Sequence, residues 1–144
     1  MPAIYRRVVI TGLGLLTPLG SDLETVWADL LAGKSGIRRV TQFSPDGLPC
    51  QIAGEIPDYK PEDHFPAKEV RRLSRASQVA MVAARKAVAD SRLPLPLVKP
   101  ERVGVYFGTA IGGLERADEG MQVLRAQGYS KVSPFLVPSS LPNM

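Results

Sequence analysis

Apolar and polar positions along this chain follow two rhythms, and each predicts its own element. Val8, Val9 and Ile10 are β-branched and uninterrupted, the pattern of a short strand buried on both faces. Gly12 and Gly14 end it and permit close approach of another segment, while Pro18 and Gly20 stop the loop from continuing as strand or helix. Leu23, Val26, Trp27, Leu30 and Leu31 then recur at helical intervals behind Ser21 and Glu24, which have capping-box spacing. Strand, glycine turn and amphipathic helix together open an α/β unit.

The longest helical signal covers residues 69–92, where Val70, Leu73, Ser77, Ala80, Met81, Ala84 and Val88 make a stripe at three- and four-residue spacing. Its small residues, Ala80, Ala83, Ala84 and Ala87, imply close packing against a sheet or another helix. Residues 103–108, V-G-V-Y-F-G, predict a second buried strand, 109–113 its terminal glycine-rich loop, and 114–126 a helix with Leu114, Ala117, Met121 and Leu124 on one side. Residues 33–47 look like loop with a turn at Ser44-Pro45-Asp46-Gly47, and 51–56 like a short strand. Residues 58–66 should be irregular around Pro61 and Pro66, and 93–100 a stiff proline-rich connector. Residues 133–144 are apolar, with three prolines and no cap or closing strand, as expected of a chain cut short.

Length and composition narrow the class. At 144 residues, with 44% hydrophobic and 22% charged positions, the chain suits one globular domain and neither a disordered nor a membrane-spanning protein. A net charge of +4 leans basic without resembling a nucleic-acid-binding tail. The single cysteine, Cys50, excludes an internal disulfide framework and fits a reducing compartment. Arg6 and Arg7 precede an apolar run, but Thr11, two glycines and Pro18 interrupt it, so neither a targeting segment nor a transmembrane helix is expected.

Two familiar glycine motifs fail on inspection. Gly12-Leu13-Gly14 begins like a dinucleotide fingerprint, yet Thr17 stands at the third glycine and the helix starts late. Gly33-Lys34-Ser35 ends like a phosphate loop, but Ala28 replaces the earlier glycine; a helix-terminating glycine with a lysine near the last carbonyls accounts for it better. His64 reads as a surface histidine without catalytic or metal role, and Cys50 as a small, partly buried thiol. Lys68, Arg71, Arg72 and Arg75 crowd the start of the long helix, where positive charge opposes the macrodipole. They form either a solvated basic face or a docking patch for an acidic partner. Ile111, in the loop at the carboxyl end of a strand, is either offered to a pocket or part of the core.

Taken together, V8-V-I-T-G-L-G14 with T17-P-L-G20, Trp27 and G33-K-S-G-I37 resembles the start of β-ketoacyl-[acyl-carrier-protein] synthases. G108-T-A-I-G-G113 and S133-P-F-L-V-P-S139, with Asn143-Met144, resemble the synthase II type. The resemblance covers the whole chain and the N-terminal third or so of such an enzyme. It implies an α/β fold: the N-terminal part of a thiolase-like fold, layered αβαβα and incomplete, with 1–144 a synthase domain truncated before the catalytic cysteine. It also implies a decarboxylative Claisen condensation on carrier protein, with the nucleophilic cysteine, two histidines and lysine beyond Met144, so that the fragment alone is inactive. No cofactor, metal, nucleic acid or membrane is implied. The expected partners are an acidic acyl carrier protein, met by Lys68, Arg71 and Arg72, and a second copy in a cytoplasmic homodimer. Ile111, Leu136 and Val137 match acyl-pocket positions. A chain-length-factor-like, non-catalytic ketosynthase subunit shares this region and is the alternative. Ser74 stands where aspartate is frequent, Thr109 where serine is common, and Pro142 where an aliphatic residue is usual.

Overall fold

The computed structural model describes residues 6–57 and 59–141. Its elements are α1 (Leu23–Leu31), β1 (Arg38–Arg39), β2 (Ile52–Ala53), α2 (Ala67–Val70), α3 (Arg75–Ser91), α4 (Leu114–Gln127) and α5 (Leu136–Ser140), with short 3-10 turns at Pro61–Asp63, Pro100–Arg102 and Tyr129–Lys131. Asp58, and Pro142, Asn143 and Met144 of the synthase-like pattern, lie outside the described residues. The small core gathers Val26, Val40, Phe65 and Val82, with the polar Ser74, Gln78 and Ser139 also buried.

α1 forms as expected, but it starts one residue later than the capping box predicts. Asp22, not Ser21, is the N-cap; its carboxylate accepts from the Thr25 hydroxyl at 2.7 Å and the Thr25 N–H at 2.9 Å. A carboxylate has more acceptor sites than a hydroxyl and can hold both donors at once. Those two bonds, the hydroxyl's first, keep the Asp22 carboxyl below the usual carboxylate range. The end of α1 follows the glycine rule: Gly33 has φ +67°, its N–H reaches the Leu30 carbonyl, and the Lys34 N–H reaches the Asp29 carbonyl.

The two buried strands are not formed. Val8 and Ile10 are 89% and 82% exposed, and Tyr106 is 94% exposed. A strand is a property of a pair, and no neighbouring backbone among the described residues lies alongside either run to complete a ladder. What pairs instead is the antiparallel hairpin β1–β2, with Arg38 opposite Ala53 and Arg39 opposite Ile52. β2 falls inside the expected strand, whereas β1 occupies a stretch that composition marks as loop. Side chains hold it there: Arg39 donates to the Gln51 side-chain oxygen at 2.6 Å and to the Asp46 carboxylate at 3.1 Å.

α3 is the element against which the opening segment rests. The expected close approach at the glycines is present: a Cβ at Gly12 would lie 2.7 Å from Ser91 Cβ. The Leu13 N–H donates to Asp90 Oδ2 at 2.8 Å, and Lys86 Nζ donates to the Ser21 carbonyl at 2.6 Å. α4 also forms where expected, but its apolar stripe stays uncovered, with Leu114 and Met121 exposed. The packed face is the one bearing Gly120, where any Cβ would overlap the Leu136 side chain. α5 was not anticipated. It closes with the Ser139 N–H on the Phe135 carbonyl at 2.9 Å, and the Ser139 and Ser140 hydroxyls both donate to the Leu136 carbonyl.

Candidate functional site

Where one long helix was expected, the chain makes an elbow. α2 ends at Val70, and α3 starts afresh behind Ser74, which is fully buried and accepts the Ser77 N–H at 3.1 Å. Serine thus fills an N-cap position that aspartate could fill equally well. The break relocates the basic cluster. Lys68 sits in the last turn of α2, Arg71 is its C-cap, and Arg72 follows in the elbow, all three exposed. None of them opposes the dipole of α3, which corrects the reason for which they stood out. Only Arg75, the first residue of α3, keeps that conflict. There Glu115 of α4 answers it, its Oε1 accepting the Arg75 N–H at 2.7 Å.

The elbow meets the segment before α5. The Arg72 guanidinium lies 4.2 Å from the centroid of the Phe135 ring, a cation–π contact. Arg71 lines a cavity of about 170 Å³ together with Arg116, Lys131, Ser133, Phe135 and Leu136. Two of the three docking candidates therefore come to the same place as one acyl-pocket candidate. Lys131 adds a cation that the sequence did not single out; it stands alone there, without local clustering to mark it.

The acyl-pocket candidates are not buried together. Leu136 packs on α4 at Gly120, while Ile111 and Val137 are 71% and 57% exposed. The loop carrying Ile111 is nevertheless seated on α5. Gly113, at φ +81°, lies so close that a Cβ would be 2.6 Å from the Ser140 carbonyl oxygen and 2.8 Å from that of Ser139. Just upstream, a cavity of about 490 Å³ separates Phe107, Gly108 and Thr109 from Leu73, Ala76 and Ala80. Of the small residues of α3, Ala80 borders this space, whereas Ala83 and Ala87 lie against Gly14 and Gly12 in the close packing expected of them.

The remaining polar groups behave structurally. Cys50 is exposed, not partly buried, and its thiol lies 3.6 Å from the Ile52 carbonyl. His64 stacks on Tyr59 with ring centroids 5.7 Å apart. Burial pushes the Tyr59 hydroxyl up, and it donates to Gln78 at 3.3 Å. Among the described residues no group of three His, Cys, Asp or Glu side chains could hold a metal ion, and no helix is long and apolar enough to cross a membrane.

This arrangement is an incomplete thiolase-like α/β fold. The ishigamide ketosynthase/chain length factor is similar with a TM-score of 0.73 and 31% identity, over 94% of this chain and 34% of its own. A β-ketoacyl synthase from Burkholderia phymatum is similar with a TM-score of 0.74 and 26% identity, over 96% and 34%. Residues 5–144 match the β-ketoacyl synthase N-terminal domain, and the chain belongs to that family. The 3-oxoacyl-[acyl-carrier-protein] synthase 2 of Staphylococcus aureus (strain COL) is 41% identical over 139 residues, covering 96% of this chain and 34% of that protein. The chain thus spans about a third of the length of these relatives.

Proposed function

We propose that these 144 residues are the N-terminal scaffold and docking part of a 3-oxoacyl-[acyl-carrier-protein] synthase of type II, acting in fatty acid elongation in the cytoplasm as a homodimer. The observation that carries this is the family match across residues 5–144, joined to the 41% identity with a synthase 2. In the complete enzyme an acyl chain passes to a cysteine thiolate. Loss of carbon dioxide from a malonyl unit on carrier protein then supplies the carbanion that forms the new carbon–carbon bond. Such chemistry needs an activated thiol, an oxyanion hole and groups to hold the departing carboxylate. Cys50, exposed and among the described residues in hydrogen-bonding reach only of the Ile52 carbonyl, does not meet that need, so the catalytic groups are assigned beyond Met144.

On this account Lys68, Arg71 and Arg72 attract the acidic carrier protein, and Ile111, Leu136 and Val137 border the acyl chain's path once the rest of the fold and a second copy are present. The exposed apolar runs at residues 8–10 and 103–107 are strands awaiting neighbours from that remainder. A second possibility is supported by the likeness to a ketosynthase/chain length factor: a non-catalytic subunit of a polyketide system. Labelled acyl-carrier protein separates the two. The complete polypeptide that carries these residues should take up the label on a cysteine and release 3-oxoacyl-carrier protein when malonyl-carrier protein is added. Absence of labelling, with complex formation to an acylated partner, favours the non-catalytic subunit, and condensation by the 144 residues alone overturns both.

A further inference from the structure

The elbow bearing Arg71 and Arg72 is held from outside, by two consecutive residues of α4. Arg116 Nη2 donates to the Val70 carbonyl and to the Leu73 carbonyl, each at 3.0 Å. Those two acceptors bracket Arg71 and Arg72 exactly where α2 has run out of intrahelical partners. Gln78 Nε2 reaches the same pair from α3, at 3.1 and 3.2 Å, so each carbonyl has both acceptor sites occupied. On the far side of the elbow Glu115 accepts the Arg75 N–H at 2.7 Å. Arg116 is itself steadied by Glu119, Nη1 to Oε2 at 3.0 Å.

Backbone from Val70 to Arg75 is therefore pinned at three points by the first turn of α4, although 40 or more residues separate the partners in sequence. Resting on the docking role given above to Lys68, Arg71 and Arg72, we propose that Glu115 and Arg116 are positioning residues for carrier-protein recognition. They touch no carrier. They fix the spacing of the docking cations before the partner arrives, so that less ordering remains to be done on binding.

Electrostatics alone makes the opposite prediction for one variant, which gives a clean test. Glu115→Ala removes a negative charge beside a basic patch and should tighten binding of an acidic carrier if charge were all that mattered. Loss of the clamp instead predicts a rise of roughly tenfold in KM for acyl-carrier protein, with kcat and KM for the corresponding acyl-pantetheine thioester held at parental values. Glu115→Gln keeps an oxygen that accepts the Arg75 N–H and should behave like the parent. Arg116→Ala should shift the two substrates apart in the same direction as Glu115→Ala; if it fails to fold, the Glu115 pair decides. All are measured in the complete polypeptide alongside the triple reversal K68E/R71E/R72E. Carrier affinity equal or tighter in Glu115→Ala, or equal losses on both substrates, or Glu115→Gln as impaired as Glu115→Ala, overturns the clamp. If the triple reversal also leaves KM for acyl-carrier protein unmoved, the docking role itself falls; if only the reversal acts, the clamp alone is wrong.

Discussion

Gly12→Ala should loosen the opening segment from α3, and the size of the effect follows from the geometry. Gly12 does not have a left-handed φ, so alanine there meets no backbone penalty of its own. The added Cβ would lie 2.5 Å from the Ser91 nitrogen and 2.7 Å from Ser91 Cβ, against an ordinary contact of 3.4–4 Å. Both neighbours belong to a helix and cannot rotate away, so the loop must retreat by several tenths of an ångström. Overpacking of this kind costs about 1–3 kcal/mol. Retreat also stretches the 2.8 Å bond from the Leu13 N–H to Asp90. Taking roughly 2 kcal/mol for the sum, local opening should become about 30-fold more frequent. Hydrogen exchange followed by mass spectrometry reads this directly: peptides covering residues 10–16 and 83–92 should exchange faster by that factor. Gly108→Ala, whose Cβ would meet nothing within 4 Å, should leave exchange unchanged. Exchange altered less than threefold in Gly12→Ala would refute the close loop-on-helix contact.

Ser74→Ala should cost about 1 kcal/mol, because it strands the Ser77 N–H at the start of α3; Ser74→Asp, which can cap equally well by geometry, should lose less in the same urea titration. Acid sensitivity should trace to two carboxylates. Asp22 is held down by the Thr25 hydroxyl and N–H, and Glu55 chiefly by the Thr41 hydroxyl. Both have folded-state values below 3.8 and 4.5 respectively, so their stabilisation is complete above those values and is lost as pH falls below them. A pH series of urea midpoints should therefore fall below about pH 4.5, and the double variant Asp22→Asn/Glu55→Gln should flatten that fall. An unchanged slope in the variant would contradict the assignment.

Local rules carried much of the helical frame. The start of α4 after Gly112-Gly113 and the Gly33 stop follow from conformational preferences written in a few adjacent residues, and the turn expected at residues 44–47 forms one residue later, where the Leu48 N–H reaches the Pro45 carbonyl around Gly47. The strands expected at residues 8–10 and 103–108 are not formed, because pairing needs a second backbone that no local pattern supplies. The long helix misled for a different reason. Its apolar stripe runs unbroken across the elbow, and only Ser74 with Ser77 signals the fresh start. Long-range polar contacts left no trace at all. Glu115, Arg116 and Gln78 read as ordinary helix-surface residues until the fold brings them to the Val70 and Leu73 carbonyls and the Arg75 N–H. Lys68, Arg71 and Arg72 drew notice through a dipole conflict at a helix start that the elbow moves away from them and leaves only at Arg75.

Acyl-carrier-protein affinity, measured across a salt series for the complete polypeptide and its K68E/R71E/R72E variant, tests the central claim most directly. Binding by the parent should weaken steadily as salt rises, and the reversal should lower affinity at least tenfold at low salt and abolish most of that salt dependence. Identical affinities with identical salt slopes would show that this elbow is not where the carrier protein lands.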